Sequence, residues 1–418
     1  MNFDFNHDVL QLSNMPKSEL VLALAKLNKQ DQQVAKMLPL KTFQTENLPD
    51  FSKINCVKLA FKLNYFGAGV NGLAFQQTER QAYTIENLVI SAFVAAFMVP
   101  KVQPQVYHFS RSGRTDSGVS GRGQVISLFV RTNLKTGLTF GDLEAAYEKQ
   151  KLRIQKQHAD LDLDKPEIGQ QDDKDDKDDL PEGNQRNESK ECTEPEFANY
   201  NASPDLNTFN YIEIINKFLP DFVYLTHYTF VPLQFDARFS SQSRSYKYLL
   251  PKISTQQHLQ SVGSKFVGTH NFRNVCREKP GQTNFVRTVY EFEVLEKEKV
   301  MELRIKGSAF LYHQIRCMVS LIVLVVKNKI KLEQLEQIWN LDQQFKYQMA
   351  PGELLIFDGV EYKEEMEWKG NSKLKFQEKQ SQDRAGVEMQ AVVQQVLMQG
   401  DCEGWFLRQM DENIKGWK

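Results

Sequence analysis

The stretch Ser110-Arg-Ser-Gly-Arg-Thr-Asp-Ser-Gly-Val-Ser-Gly-Arg-Gly-Gln-Val-Ile-Ser-Leu128 sets one carboxylate, Asp116, between a turn rich in arginine and glycine and a run with the composition of a strand. Gly113, Gly118, Gly121 and Gly123 accept backbone conformations closed to bulkier residues and let a large ligand come near the main chain. Arg111, Arg114 and Arg122 can hold a phosphate backbone around that carboxylate. An acid enclosed by cations stays ionised, as a nucleophile must. Taken alone, the segment is better read as a turn whose aspartate bonds its own backbone; what reverses that reading lies further along the chain.

Working outward, Val57, Leu59, Phe61 and Leu63 alternate with Lys58, Ala60, Lys62 and Asn64, the pattern of a half-buried strand. A glycine-rich turn follows, Tyr65-Phe-Gly-Ala-Gly-Val-Asn-Gly-Leu-Ala-Phe-Gln76. Thr84 can cap a helix running to about Met98, with Glu86 in its first turn. Strands are expected over 124–131, 222–231 and 244–250, a helix over 209–218, and a hairpin over 289–295 and 300–305. Gly307-Ser-Ala-Phe-Leu-Tyr-His-Gln-Ile-Arg316 leads into an apolar run, Met318 to Val326, too short to span a bilayer and read as a buried helix. Strand, helix, turn, strand is an α+β beginning. Residues 1–50 form a leader with one helix near 17–37, which docks on the body, pairs with a partner or hangs loosely. Residues 51–232 make a first α+β half, 233–365 a second, and 366–418 a polar extension with a helix near 387–398.

The 418 residues carry 52 basic and 53 acidic side chains, a net charge of -1 that hides a split. Residues 158–196 hold 15 acidic against 5 basic residues, and the remainder holds 47 basic against 38 acidic, a net of +9. That basic remainder suits a nucleic-acid partner. Residues 157–203, with Asp172-Asp-Lys-Asp-Asp-Lys-Asp-Asp179, read as a disordered acidic insertion, either shielding a basic site or simply tolerated. The five cysteines are scattered with no Cys-x-x-Cys spacing, which suggests neither a disulfide framework nor a zinc site. With no secretory signal or membrane span recognisable, the expected location is cytoplasm or nucleus.

Three segments share a theme. Asp116 is an acid among arginines, Arg244-Ser-Tyr246 sets a ring beside a cation on a strand, and Arg316 opens an otherwise apolar helix. A buried arginine needs a carboxylate, and Asp116 is a candidate. The chain resembles the tRNA pseudouridine synthases of the TruA type, and within them the eukaryotic branch. Gly113-Arg-Thr-Asp-Ser-Gly-Val119 with Gly123-Gln-Val125 is similar to that family's signature around its catalytic aspartate. Phe235-Asp-Ala-Arg238 with Arg244-Ser-Tyr-Lys-Tyr248, and Ala309-Phe-Leu-Tyr-His-Gln-Ile-Arg316, are similar to its second and third motifs. Gly268-Thr-His-Asn-Phe-Arg-Asn-Val-Cys276, Asn284-Phe-Val-Arg-Thr288, Tyr65-Phe-Gly67 and Gly72-Leu-Ala-Phe-Gln76 resemble the eukaryotic branch in particular. The likeness spans about residues 55 to 362. The acidic insertion departs from it, as do Ser117 and Gly121-Arg122.

The resemblance implies two ferredoxin-like halves sharing an extended, mostly antiparallel sheet crossed by an RNA-binding cleft. It implies isomerisation of uridine to pseudouridine in the tRNA anticodon arm, at positions 38 and 39, with no cofactor or metal, and a homodimer. It implies Asp116 as nucleophile, Tyr246 against the uracil and Arg316 paired with Asp116. Whether the carboxylate adds to uracil C6, attacks C1′ or takes a sugar proton stays open. Arg114 either fills the gap left by the flipped uridine or clamps a phosphate. Thr115, Arg238 and Arg244 are candidate substrate contacts, and His270 and His313 read as structural. The competing readings are a tRNA-binding protein or chaperone without catalysis, and a nucleoside hydrolase, which needs two carboxylates where only one stands out.

Overall fold

The computed structural model describes residues 49–67, 69–75, 84–162, 208–298, 300–343 and 345–370. The helices expected near 17–37 and 387–398, and the acidic segment beyond Asp162, lie outside the described residues. In chain order the elements are β1 (Cys56–Tyr65), α1 (Ile85–Ala95), β2 (Ser110–Arg111), β3 (Ser120–Arg131), α2 (Phe140–Asp162), α3 (Tyr211–Asn216) and β4 (Val223–Phe230). Then follow β5 (Ser241–Pro251), α4 (Gln256–Gly263), β6 (Gly268–Asn271), β7 (Val286–Glu296), β8 (Val300–Gly307), α5 (Gln314–Val326), α6 (Leu332–Leu335), β9 (Leu355–Tyr362) and β10 (Lys369–Gly370).

All ten strands among the described residues join one mixed sheet, ordered β10-β4-β1-β3-β9-β5-β8-β7-β6, with β2 attached to β3. Every pairing is antiparallel except the central one, where β3 and β9 run parallel through Ser120 opposite Ile356 and Gly121 opposite Phe357. The chain therefore completes one group of strands, crosses to build a second, and returns through β9 to the seam. Asp116 lies just before β3, at that seam.

Each group buries its own core. Phe61 and Leu63 of β1 and Ile126 and Leu128 of β3 pack with Val89 and Phe93 of α1 and Tyr211 of α3. Tyr248 of β5, Val294 of β7 and Leu303 of β8 pack under Leu259 of α4 and the apolar helix α5. Helix α1 starts where its sequence dictates, since the Thr84 side chain accepts the Asn87 N–H at 3.3 Å. Helix α5 is buried at every position from Cys317 to Val326, as its unbroken apolar run requires.

Two expectations change. The outward row of β1 is not solvated: Ala60 is fully buried and Lys58 nearly so. Ala60 joins a small cluster with Val125, Val231, Phe235 and Ala237, overlain by Tyr362 and Trp368, so the second face of the sheet is covered here. The Lys58 ammonium keeps a partner there by donating to the Leu233 carbonyl at 2.5 Å. Helix α2 also runs on to Asp162, past residue 157, where the acidic insertion is expected to begin. Thr139 and Asp142 cap that helix reciprocally, with Thr139 N–H donating to Asp142 Oδ2 at 2.8 Å and Asp142 N–H to Thr139 Oγ1 at 3.3 Å.

Candidate active site

The loop between β2 and β3 is seated on the glycine-rich turn that follows β1. Thr115 Oγ1 lies 2.7 Å from the Tyr65 hydroxyl, and the Thr115 carbonyl accepts the Leu73 N–H at 3.1 Å. The Ser117 hydroxyl donates to the Val70 carbonyl at 3.0 Å, and Gly67 N–H donates to Ser120 Oγ at 3.1 Å. Two glycines make this seat possible. A Cβ on Gly67 would overlap the Val119 carbonyl, and one on Gly121 would overlap the Tyr65 ring. Gly121 thus serves close packing, where the sequence suggested room for a ligand. The turn itself is closed by Val119 N–H donating to the Asp116 carbonyl at 3.2 Å.

This seat aims Asp116 across the seam at the start of α5. Arg316 Nη1 lies 3.4 Å from Asp116 Oδ2, and His313 Nε2 lies 3.2 Å from the same oxygen. Arg316 is itself fixed, since its Nε donates to the Ala350 carbonyl at 2.7 Å. His313 occupies the N-cap of α5 with φ of 62°, a left-handed conformation uncommon outside glycine. Its ring stacks on Tyr312 with centroids 3.6 Å apart, and its Nδ1 is buried with no partner among the described residues. A carboxylate can only accept, so Nε2 carries the proton shared with Asp116.

Burial alone would raise the Asp116 carboxyl. The hydrogen bond and charge of His313, together with the charge and hydrogen bond of Arg316, outweigh it and hold the group below the usual aspartate value. Asp116 is therefore a charged, part-buried carboxylate at neutral pH, aimed by two donors and still 24% exposed. That combination leaves one face available to a reacting atom.

Tyr246 sits on β5 with its ring edge-on to Phe310 at 5.3 Å and to Phe357 at 5.2 Å. Burial pushes its hydroxyl up to about 12; Arg244 opposes the rise, and the Asp116 charge adds to it. The phenol therefore stays protonated at neutral pH. Thr115, expected as a substrate contact, is buried and bonded to Tyr65.

Arg244 and Arg111 face inward. The sequence proposed Arg244 for phosphate or sugar, but the residue is only 9% exposed and its guanidinium donates to three main-chain carbonyls. These are Ser112 at 2.7 Å, Ser308 at 3.0 Å and Arg238 at 3.0 Å. Arg111 Nη1 pairs at 2.6 Å with Glu86, which is buried in the first turn of α1 and also accepts the Phe75 N–H at 2.7 Å. Arg244, so engaged, braces the loop, whereas the Arg111 side chain stays 26% exposed. Arg114, Arg122 and Arg238 are exposed.

His313, which the sequence reads as structural, lies against Asp116. Its signal was its spacing from Arg316: three residues apart at the start of a helix, the two side chains share a face. His270, by contrast, stacks on Trp339 at 4.3 Å and bonds the Val267 carbonyl at 3.0 Å, away from Asp116.

A family model described as tRNA pseudouridine synthase matches residues 263–363, the stretch that contributes His313 and Arg316. The tRNA pseudouridine(38/39) synthase of Saccharomyces cerevisiae is 29% identical over 84% of this chain and 67% of its own length. The chain is thus similar to the tRNA pseudouridine synthases, in residues 263–363 by family and over most of its length by relatives. Human tRNA pseudouridine(38/39) synthase is 27% identical over 73% of this chain and 56% of its own length. The mouse protein of the same name is 30% identical over 72% of this chain and 54% of its own. The family likeness thus covers the body of the chain, which spans from about half to two thirds of the length of these relatives. No helix among the described residues is long and apolar enough to cross a membrane.

Proposed function

We propose that this protein isomerises uridine to pseudouridine in the anticodon arm of tRNA, at positions 38 and 39, with Asp116 as nucleophile. The observation that carries the proposal is one carboxylate held ionised at the seam of the sheet by Arg316 and His313. The names of the yeast, human and mouse relatives support the substrate and the positions. The reaction breaks the N1–C1′ bond, turns the base, joins C5 to C1′ and releases the C5 proton, while N1 gains one, so it is redox-neutral. As nucleophile, Asp116 forms a bond to uracil C6 or to C1′ that holds the base or the sugar while the base turns and breaks again once C5 has joined C1′. Tyr246, aromatic and protonated, supports the uracil and donates a proton. Arg114, beside Asp116 and exposed, occupies the gap left in the RNA or holds its phosphate.

The sheet supports a reading as two ferredoxin-like halves, one from β1 to β4 and one from β5 to β9. Each runs strand, helix, strands, helix, strand, and each places its last strand beside its first. A cleft at the junction would then be lined by both halves, as Asp116 from one and Arg316 from the other require.

The test is tritium release from tRNA carrying 5-tritiated uridine, with wild type, Asp116→Asn and Asp116→Ala. Wild type releases label and keeps the RNA chain intact; both variants bind tRNA and release none. Turnover by either variant removes Asp116 from the chemistry. Binding without release by the wild type returns the protein to the class of non-catalytic tRNA binders.

A further inference from the structure

The turn between β4 and β5 presents an exposed ring on an unusually well-braced backbone. Phe239 is 78% exposed, more than any other large apolar side chain described. A single exposed apolar residue is common and by itself needs no function. What sets this one apart is the rigidity beneath it. Asp236 Oδ1 accepts the N–H of Arg238 at 2.7 Å and that of Phe239 at 2.9 Å. Ser240 N–H donates to the Asp236 carbonyl at 3.0 Å, and Asp236 N–H to Ser240 Oγ at 3.2 Å. The Arg238 carbonyl accepts from the Ser241 hydroxyl at 2.6 Å and from Arg244 at 3.0 Å. A loop with its polar groups satisfied in this way does not fold its aromatic ring back onto the core, and it holds the ring in one place.

The turn is tied to the loop that carries Asp116. The same Arg244 guanidinium that holds the Arg238 carbonyl also holds the Ser112 carbonyl, four residues before Asp116. The Arg238 guanidinium lies 5.3 Å from the centre of the Phe239 ring, so a cation covers one side of the ring. A flat apolar surface, flanked by a guanidinium and tied to the catalytic loop, matches the chemistry of an unstacked nucleobase with its phosphate.

We propose that Phe239 and Arg238 form a stacking platform for one unpaired base of the RNA substrate next to the reacting uridine, with Arg238 on the adjoining phosphate. The proposal rests on the tRNA reading above and adds to it the residues that hold a neighbouring nucleotide. Flipping a uridine out of a loop leaves its neighbours unstacked, and a ring held on this turn replaces the lost stacking.

The experiment uses the full chain and a tRNA anticodon stem-loop carrying 2-aminopurine at each loop position in turn. Binding is measured in the Asp116→Asn parent, and steady-state turnover in the wild type, each with and without Phe239→Ala and Phe239→Trp. Phe239→Ala is expected to weaken binding and raise KM by about 10- to 100-fold, as loss of one base–aromatic stack implies, with kcat nearly unchanged. Fluorescence quenching at one loop position should disappear in Phe239→Ala and return in Phe239→Trp. Equal affinity for parent and Phe239→Ala, or weakened binding with quenching unchanged at every position, overturns the platform. So does a change confined to self-association in sedimentation, which would assign the ring to a protein contact. Tritium release by the wild type separates the two levels. If it occurs while Phe239→Ala behaves as parent, the platform fails alone; if it is absent, the isomerase reading fails and the platform with it.

Discussion

His313 and Arg316 donate to the same oxygen of Asp116, yet they do different work. Arg316 is a permanent cation anchored to the Ala350 carbonyl, whereas His313 is a ring donor wedged at the start of α5. If His313 acts by aiming the carboxylate, His313→Gln, whose amide still donates, should keep most of the activity. His313→Ala should lower kcat by about 10- to 100-fold with KM little changed, and a matching loss in both variants would count against positioning. The pH profile reports on Arg316. A carboxyl held below its ordinary value is ionised across the neutral range, and its contribution to folding is present above the unfolded value and lost as pH falls through the lowered one. The acid limb of kcat/KM should therefore fall below the ordinary aspartate range of about 4. Arg316→Gln removes a cation and leaves burial less opposed, so the limb should move to higher pH. An unmoved limb would show that Asp116 is not the group being titrated.

At the scale of elements, the seat of the Asp116 loop depends on contacts too close for a side chain. Gly67→Ala puts a methyl group into the Val119 carbonyl, main chain that cannot rotate away. Chemical denaturation should show a loss of roughly 1–3 kcal/mol, and kcat should fall further than binding because the loop that carries Asp116 must shift. Normal stability and turnover would mean that the loop is not fixed by this turn. This seat also shows what the sequence could and could not disclose. Elements whose signal is local were legible: the Thr84 cap, the apolar run of α5, and the hairpin of β7 and β8 with its alternation of buried and exposed residues. Lys58 and Ala60 read as solvent-facing because nothing nearby in sequence reveals that residues 231–237 and 362–368 cover them. Strand β9 went unread for a related reason, since its place beside β3 and β5 is decided by the return of the chain to the seam. Among arginines, residue type showed cationic surroundings for Asp116. Which guanidiniums turn inward, as those of Arg111 and Arg244 do, depends on a buried carboxylate or on orphaned carbonyls that only the folded chain assembles.

For the molecule as a whole, the question is what keeps two groups of strands in one register when the site draws a carboxylate from one and an arginine from the other. The parallel pairing of β3 with β9 is short, two residue pairs. Beside it, Arg244 reaches from β5 to the Ser112 carbonyl before the Asp116 loop, to Ser308 after β8, and to Arg238 before β5. One guanidinium thus ties both groups and the turn between β4 and β5 together from a buried position. Burial disfavours its charge first and depresses its pKa, although Tyr246 and Tyr362 counteract this, so the cation persists because three carbonyls replace its water. Arg244→Met should leave those carbonyls without a donor and destabilise the fold by about 3–5 kcal/mol. Arg244→Lys should recover part of that loss, because an ammonium keeps the charge but cannot span three acceptors in the plane of a guanidinium. Hydrogen exchange gives the decisive readout: in Arg244→Lys, amides of residues 112–119 and 236–241 should exchange faster, while those of α5 keep their protection. Faster exchange spread evenly over the chain would instead describe a general loss of stability, and the seam would then be held by its strands alone.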